Sequence, residues 1–120
     1  MKDQFVDYQT ALRLKELGFD EKCVGLFTLT NGQYQVDIIG VCEYSKEFKY
    51  REVIAPLFQQ AQKWLREKYN IHIGIWYNTL TSEYRWERQI GEDFVDANEE
   101  FSTYELALSE GLTEALKLLS

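Results

Sequence analysis

Apolar and polar side chains alternate with a period of two on either side of Asn31-Gly32. Asn-Gly is the strongest short signal for a two-residue hairpin turn, because both residues accept positive φ. Closing the hairpin there pairs Thr30 with Gln33, Phe27 with Val36, Gly25 with Ile38 and Cys23 with Gly40. One face then carries Cys23, Gly25, Phe27, Leu29, Tyr34, Val36, Ile38 and Cys42. The other carries Lys22, Thr28, Thr30, Gln33, Gln35 and Asp37. A one-residue slip would turn the apolar set outward, so pattern and turn fix the same register. Val24, Leu26, Ile39 and Val41 make the open end apolar on both faces, which predicts cover on both sides.

A second alternation sets Ile71, Ile73, Ile75 and Tyr77 against His72, Gly74, Trp76 and Asn78. After a polar turn around Thr79 to Glu83, Tyr84, Trp86, Arg88 and Ile90 alternate with Arg85, Glu87 and Gln89. The predicted core face pairs Tyr77 with Tyr84, Ile75 with Trp86 and Ile71 with Ile90. Arg88 breaks the pattern opposite Ile73. It reads as a snorkelling side chain, an internal ion-pair partner or the mark of a bulge. Ser45 to Val53, and Phe94 with Val95, are open between strand and connection.

Three stretches instead repeat near 3.6 residues, the helical period. The first runs from about Tyr8 to Leu17, with Asp7 as N-cap, Gly18 at the left-handed C′ position and Phe19 as its apolar follower. The second is predicted to begin with Pro56 at the first helical position and to end near Tyr69-Asn70. Its stripe is Leu57, Phe58, Ala61, Trp64, Leu65 and Tyr69. The third starts near Ser102 or Thr103. Ser102 with Glu105 fits a capping box, and Phe101 with Leu106 fits a hydrophobic staple. Gly111 inside this helix costs roughly 1 kcal/mol against Ala, which suggests close contact with a neighbour.

The order α-β-β-α-β-β-α predicts an α+β fold: two layers, an antiparallel sheet of two hairpins with four to six strands, packed with three helices. No Pro/Gly/Ser-rich linker interrupts residues 1–120, which read as one domain. Phe5, Tyr8, Ala11 and Leu12 match Phe101, Tyr104, Ala107 and Leu108 in an F-x-x-Y-x-x-A-L frame, and helix-hairpin occurs twice. Both features raise a duplicated αββ unit, or merely two helices that begin alike.

At 120 residues the chain has the size of one domain, and 45% hydrophobic and 15% aromatic content is a folding composition. No run approaches the ~20 apolar residues of a membrane span, and no signal peptide is readable, so cytoplasmic residence is expected. The net charge of −7 favours solubility and disfavours nucleic-acid partners, since neutralising phosphates drives that binding. Cys23 and Cys42 lack zinc-site spacing. In the predicted register they lie diagonally, about 7 Å apart at Cα, which is marginal for a disulfide. Both read as buried thiols.

The sequence carries no phosphate-binding loop, dinucleotide fingerprint, zinc-protease helix or calcium loop, and no cofactor or metal is implied. Glu92 to Glu100 reads as a solvated acidic connection. His72, the one histidine, has no nucleophile-and-carboxylate set around it. The candidate binding residues are His72, Trp76, Arg85 and Glu87 on the polar face of the second hairpin. There Trp76 and Arg85 fall opposite each other, a favourable cation–π pairing. Tryptophan and arginine are over-represented at interface hot spots.

Phe5 to Cys23 (F-V-x-Y-x-x-A-L-x-L-K-E-L-G-F-D-E-x-C), Ala55 to Ile71 (A-P-L-x-Q-Q-x-x-x-W-L-R-E-K-Y-N-I) and the closing T-Y-E-x-A-L helix together resemble small uncharacterised proteins of phages, prophages and mobile elements of gut bacteria. Thr28 to Val53 lies outside that resemblance. It implies an accessory role inside a bacterial cell and transfers no site residue. The expected function is therefore non-catalytic, through binding another macromolecule, with protein as the partner. Two alternatives are an acidic nucleic-acid mimic that inhibits a host protein, and an enzyme with a cryptic site near His72.

Overall fold

The computed structural model describes residues 4–42 and 53–119, with the side chains of 39–42 outside the description. The fold is α+β: three helices and two three-stranded antiparallel sheets, with helix-hairpin order as read from the sequence. The chain divides into two compact units, Met1–Leu57 and Phe58–Ser120.

In the first unit, helix α1 (Tyr8–Glu16) is closed at both ends. Asp7 caps it by accepting the Thr10 N–H at 2.8 Å. Gly18 takes φ +96°. The N–H groups of Gly18 and Phe19 then return to the carbonyls of Lys15 and Leu14, at 3.1 and 2.9 Å. This is a Schellman closure, and Phe19 and Leu14 are both buried.

Strands β1 (Cys23–Thr30) and β2 (Gln33–Cys42) form the first hairpin, and β3 (Val53–Ala55) adds to the free side of β1, giving the order β2-β1-β3. Asn31 and Gly32 have φ of 52° and 79°, the conformation the Asn-Gly turn predicts. The register holds from Thr30–Gln33 through Phe27–Val36 to Gly25–Ile38. Beyond it the prediction fails: a bulge between Cys23 and Gly25 places Cys23 opposite Cys42, not Gly40. Nothing in the alternation marks that bulge. Of Ser45 to Val53, only Val53 lies within the described residues.

On β1 the predicted apolar face is buried from Cys23 through Gly25 to Phe27 and exposed toward the tip. Phe27 and Val36 are inside, whereas Leu29, Tyr34 and Ile38 are exposed. Part of the reason is length. Nine helical residues span about 13 Å and eight strand residues about 27 Å, so α1 cannot cover the hairpin tip. Tyr8 makes the outermost contact there, stacked on Tyr34 at 3.8 Å and edge-on to Phe27 at 5.4 Å.

Pro56 does not open the second helix. It is fully buried after β3, its carbonyl accepts the Val6 N–H at 3.0 Å, and Leu57 bridges to Phe5. A proline has no N–H to leave unpaired at a strand end, so the position suits it there as well as at a helix start.

The second unit opens with α2 (Phe58–Tyr69), followed by β4 (Ile71–Asn78), β5 (Glu83–Ile90), β6 (Asp93–Asp96) and α3 (Tyr104–Lys117). Phe58, Ala61, Trp64 and Leu65 of α2 are buried. Asn70 ends that helix at φ 57°, a left-handed position asparagine tolerates. The sheet order is β4-β5-β6, so Phe94 and Val95 belong to a strand. Thr103, not Ser102, caps α3, accepting the Leu106 N–H at 3.1 Å. That moves the cap one residue beyond the predicted capping box, and Leu106 is exposed instead of stapled to Phe101. Gly111 does permit close approach. A Cβ there would lie 3.0 Å from Trp86 Cβ and 3.1 Å from Ile73 Cγ2.

The F-x-x-Y frame now has a local cause. Phe5 and Phe101 each form a β-bridge, to Leu57 and Tyr84. Each stands two residues ahead of a helix cap, Asp7 or Thr103. The third strand joins the first strand of the sheet in one unit and the second in the other. The two units therefore share helix-hairpin order but not strand order.

Candidate functional site

Strands β4 and β5 pair in the predicted register along their whole length, including Trp76 with Arg85, Gly74 with Glu87 and His72 with Gln89. Ile71, Ile73 and Trp86 turn inward and are buried. His72, Trp76, Arg85 and Glu87 consequently share the opposite face. That face is open enough to leave Trp76 39% exposed.

The Arg85 guanidinium carbon stands 5.5 Å from the centre of the Trp76 ring. Its far side meets Glu100, with Nη2 to Oε1 at 3.9 Å, while Thr81 donates to Glu100 Oε2 at 2.7 Å. Glu100 is held there because Phe101 exchanges two 2.7 Å backbone hydrogen bonds with Tyr84. The Arg85 cation is thus clamped between an indole face and a carboxylate. Its Nε is buried with no hydrogen-bond partner. Glu100 was not singled out from sequence: it lay within an acidic connection, and only the Phe101–Tyr84 bridge brings it to the strand.

Glu87 lies across Gly74, its Oε1 3.0 Å from where a glycine Cβ would stand. His72 is exposed and its Nε2 is 2.8 Å from Asn70 Oδ1, so the ring is engaged locally. Gln89 donates to the Gly91 carbonyl at 3.2 Å. At the far end of the hairpin, Tyr77 and Leu80 are also exposed, Leu80 at 94%. Asn78 shapes that tip by accepting the Leu80 N–H at 3.0 Å, and Ser82 takes φ 57°.

Arg88 sits in a regular strand opposite Ile73, which removes the bulge reading. Its charge helps hold the Glu114 carboxyl below the ordinary glutamate value, after the larger effect of the hydrogen bond from Lys117 at 2.9 Å. The Arg88 Nε is buried with no hydrogen-bond partner.

A cleft of about 190 Å³, open to solvent, lies against Glu110 and Glu114 of α3. It is lined by Trp86, Ala97, Asn98, Glu99, Phe101, Glu110 and Glu114, and by none of the four candidate residues. Burial, and next the charge of Glu114, push the Glu110 carboxyl above its ordinary value. No grouping of three or more metal-ligating side chains occurs among the described residues. No helix among the described residues is long and apolar enough to cross a membrane. No family model, curated protein or solved structure matches the chain.

Proposed function

We propose that this chain is a non-catalytic binding protein whose partner is another protein, engaged by the outer face and tip of the β4–β5 hairpin. The observation that carries the reading is the exposed Trp76 ring, backed by a clamped arginine and flanked at the tip by Tyr77 and Leu80. Such a surface offers large apolar area with little rotamer freedom left to lose on binding. The face is acidic: Glu83, Glu87 and Asp96 share it by strand register, and Glu100 lies beside Arg85. A basic partner surface fits it best. The resemblance to phage and mobile-element proteins supports an accessory role in a bacterial cell.

The test is affinity capture with the wild-type chain and with Trp76→Ala and Arg85→Ala, followed by mass spectrometry and by direct titration of any captured protein. Retention of the same partner at unchanged affinity by both folded variants overturns the reading. The acid-rich 83–114 stretch also favours a second reading, a nucleic-acid mimic. In that case DNA competes with the chain for the captured protein, and removing carboxylates weakens binding more than removing Trp76.

A further inference from the structure

The outer edge of β4 is closed at one point and open beyond it. On β5, Tyr84 and Trp86 turn backbone groups away from β4: Tyr84 exchanges two bonds with Phe101, and the Trp86 carbonyl accepts the Ala97 N–H at 3.0 Å. The groups of Arg85 and Glu87 therefore face β4 and meet Trp76 and Gly74, their partners in register. The alternate residues of β4, Ile73, Ile75 and Tyr77, turn their N–H and carbonyl groups to the other side. Gln62 of α2 covers the first of these, donating to the Ile73 carbonyl at 2.6 Å. Among the described residues no strand pairs with Ile75 or Tyr77 on that side. The opposite edge of the sheet, β6, is four residues long and bounded by Asp93 and Asp96. Shortness and charge discourage strand addition. The eight residues of β4 include no Asp, Glu, Lys or Arg, so this edge has neither protection.

The flanking side chains say what fits there. Glu87 leans over Gly74, its Oε1 and Cγ 3.0 and 3.2 Å from where a glycine Cβ would stand, so its carboxylate lies above β4. It has no cationic partner among the described residues. Trp76, two residues on, presents its exposed indole on the same face. Side chains of an added strand opposite Gly74 and Trp76 would meet that carboxylate and that ring, and both favour a cation. On the other face such a strand would meet half-buried Ile75 and exposed Tyr77, which favour apolar side chains. We propose that the Ile75–Tyr77 edge of β4 takes an extended segment of the partner protein as an added strand, one that alternates basic with apolar residues. This deepens the binding reading above and rests on it. Main-chain bonds supply the affinity, and the two faces supply the choice of sequence.

The test uses the full chain and a pair of end-blocked synthetic peptides, one alternating lysine with valine and one alternating glutamate with valine. The lysine peptide should bind and slow amide exchange at Ile75 and Tyr77, and the glutamate peptide should do neither. Ile75→Pro removes an edge donor without touching the β4–β5 ladder, a place where proline is tolerated, and should weaken binding by about tenfold. Glu87→Gln, which leaves the backbone alone, should weaken it and flatten its salt dependence. Absence of binding by the lysine peptide, binding without slowed exchange at Ile75 and Tyr77, equal affinity of folded Ile75→Pro, or equal affinity for the glutamate peptide overturns the proposal. If folded Ile75→Pro keeps a captured partner that Trp76→Ala loses, the strand addition falls and the binding surface stands. If Trp76→Ala and Arg85→Ala both keep that partner at unchanged affinity, the binding surface falls as well.

Discussion

Gly111→Ala sets two opposed effects against each other at a site where the geometry decides the sign. Alanine is favoured over glycine inside a helix by about 1 kcal/mol. Against that, the new methyl would stand 3.0 Å from Trp86 Cβ, 3.1 Å from Ile73 Cγ2 and 3.3 Å from Trp86 Cγ. The best carbon–carbon separation is roughly 3.5–4.0 Å. Trp86 Cβ is fixed to the β5 backbone, and Ile73 is β-branched and stiff, so neither yields by a simple rotation. The helix must therefore lift from the sheet by about half an ångström, and gaps of that size forfeit a quarter or more of each contact's attraction. Leu108, Leu112, Ala115 and Leu116 all lie on the buried side of α3 and share the loss. Overpacking of this kind costs about 1–3 kcal/mol, leaving a net destabilisation of roughly 1 kcal/mol after the helix gain. In urea, with a slope of about 1–3 kcal/mol per molar, the unfolding midpoint should fall by roughly 0.3–1 M. A midpoint equal to or above the wild-type value would refute the argument and make the helix–sheet contact softer than its distances imply.

Two further perturbations test other parts of the structure. Gly25→Ala places a methyl 2.7 Å from Phe5 Cε1, 3.1 Å from Val36 Cγ1 and 3.2 Å from Ala55 Cβ, and should cost about 2 kcal/mol in a urea or thermal melt. Unchanged stability would mean the Phe5 ring moves freely. Glu110 has a folded-state pKa raised first by burial, so its contribution to stability is complete below the ordinary glutamate value and is lost as pH rises through the raised one. Glu110→Gln removes that loss, and unfolding midpoints across a pH series should show the variant gaining on the wild type as pH rises above the glutamate range. Parallel profiles would count against partial burial as the cause of the raised value.

The parts of the fold legible in the sequence were those in which a local turn and a periodic pattern say the same thing. The β4–β5 register was fully readable because eight residues alternate on each side of one polar turn, and it placed Trp76 against Arg85 without any coordinates. The Gly18-Phe19 helix stop was readable because left-handed glycine followed by an apolar residue is a short-range signal. Three features were not. The bulge at Cys23 inserts extra length without disturbing apolar character, since residues 38–42 are Ile, Ile, Gly, Val and Cys. The attachment of β3 to β1 joins segments far apart in sequence with no marking turn. Glu100 entered the candidate site through the pairing of Phe101 with Tyr84, a contact that depends on where a ten-residue connection lands.

The same Phe101–Tyr84 bridge has a consequence for how the last helix comes apart. Its amino end is moored twice, by that exchange of backbone bonds and by the Thr103 hydroxyl, and the first mooring cannot slip without disturbing the central strand of its sheet. The opposite end holds by 3.1 Å carbonyl contacts from Leu118 and Leu119 and by surface charge on Lys117. Opening of α3 should therefore begin in its last turn and halt before the Gly111–Trp86 contact, which faster amide exchange at Leu118 and Leu119 than at Gly111 would show.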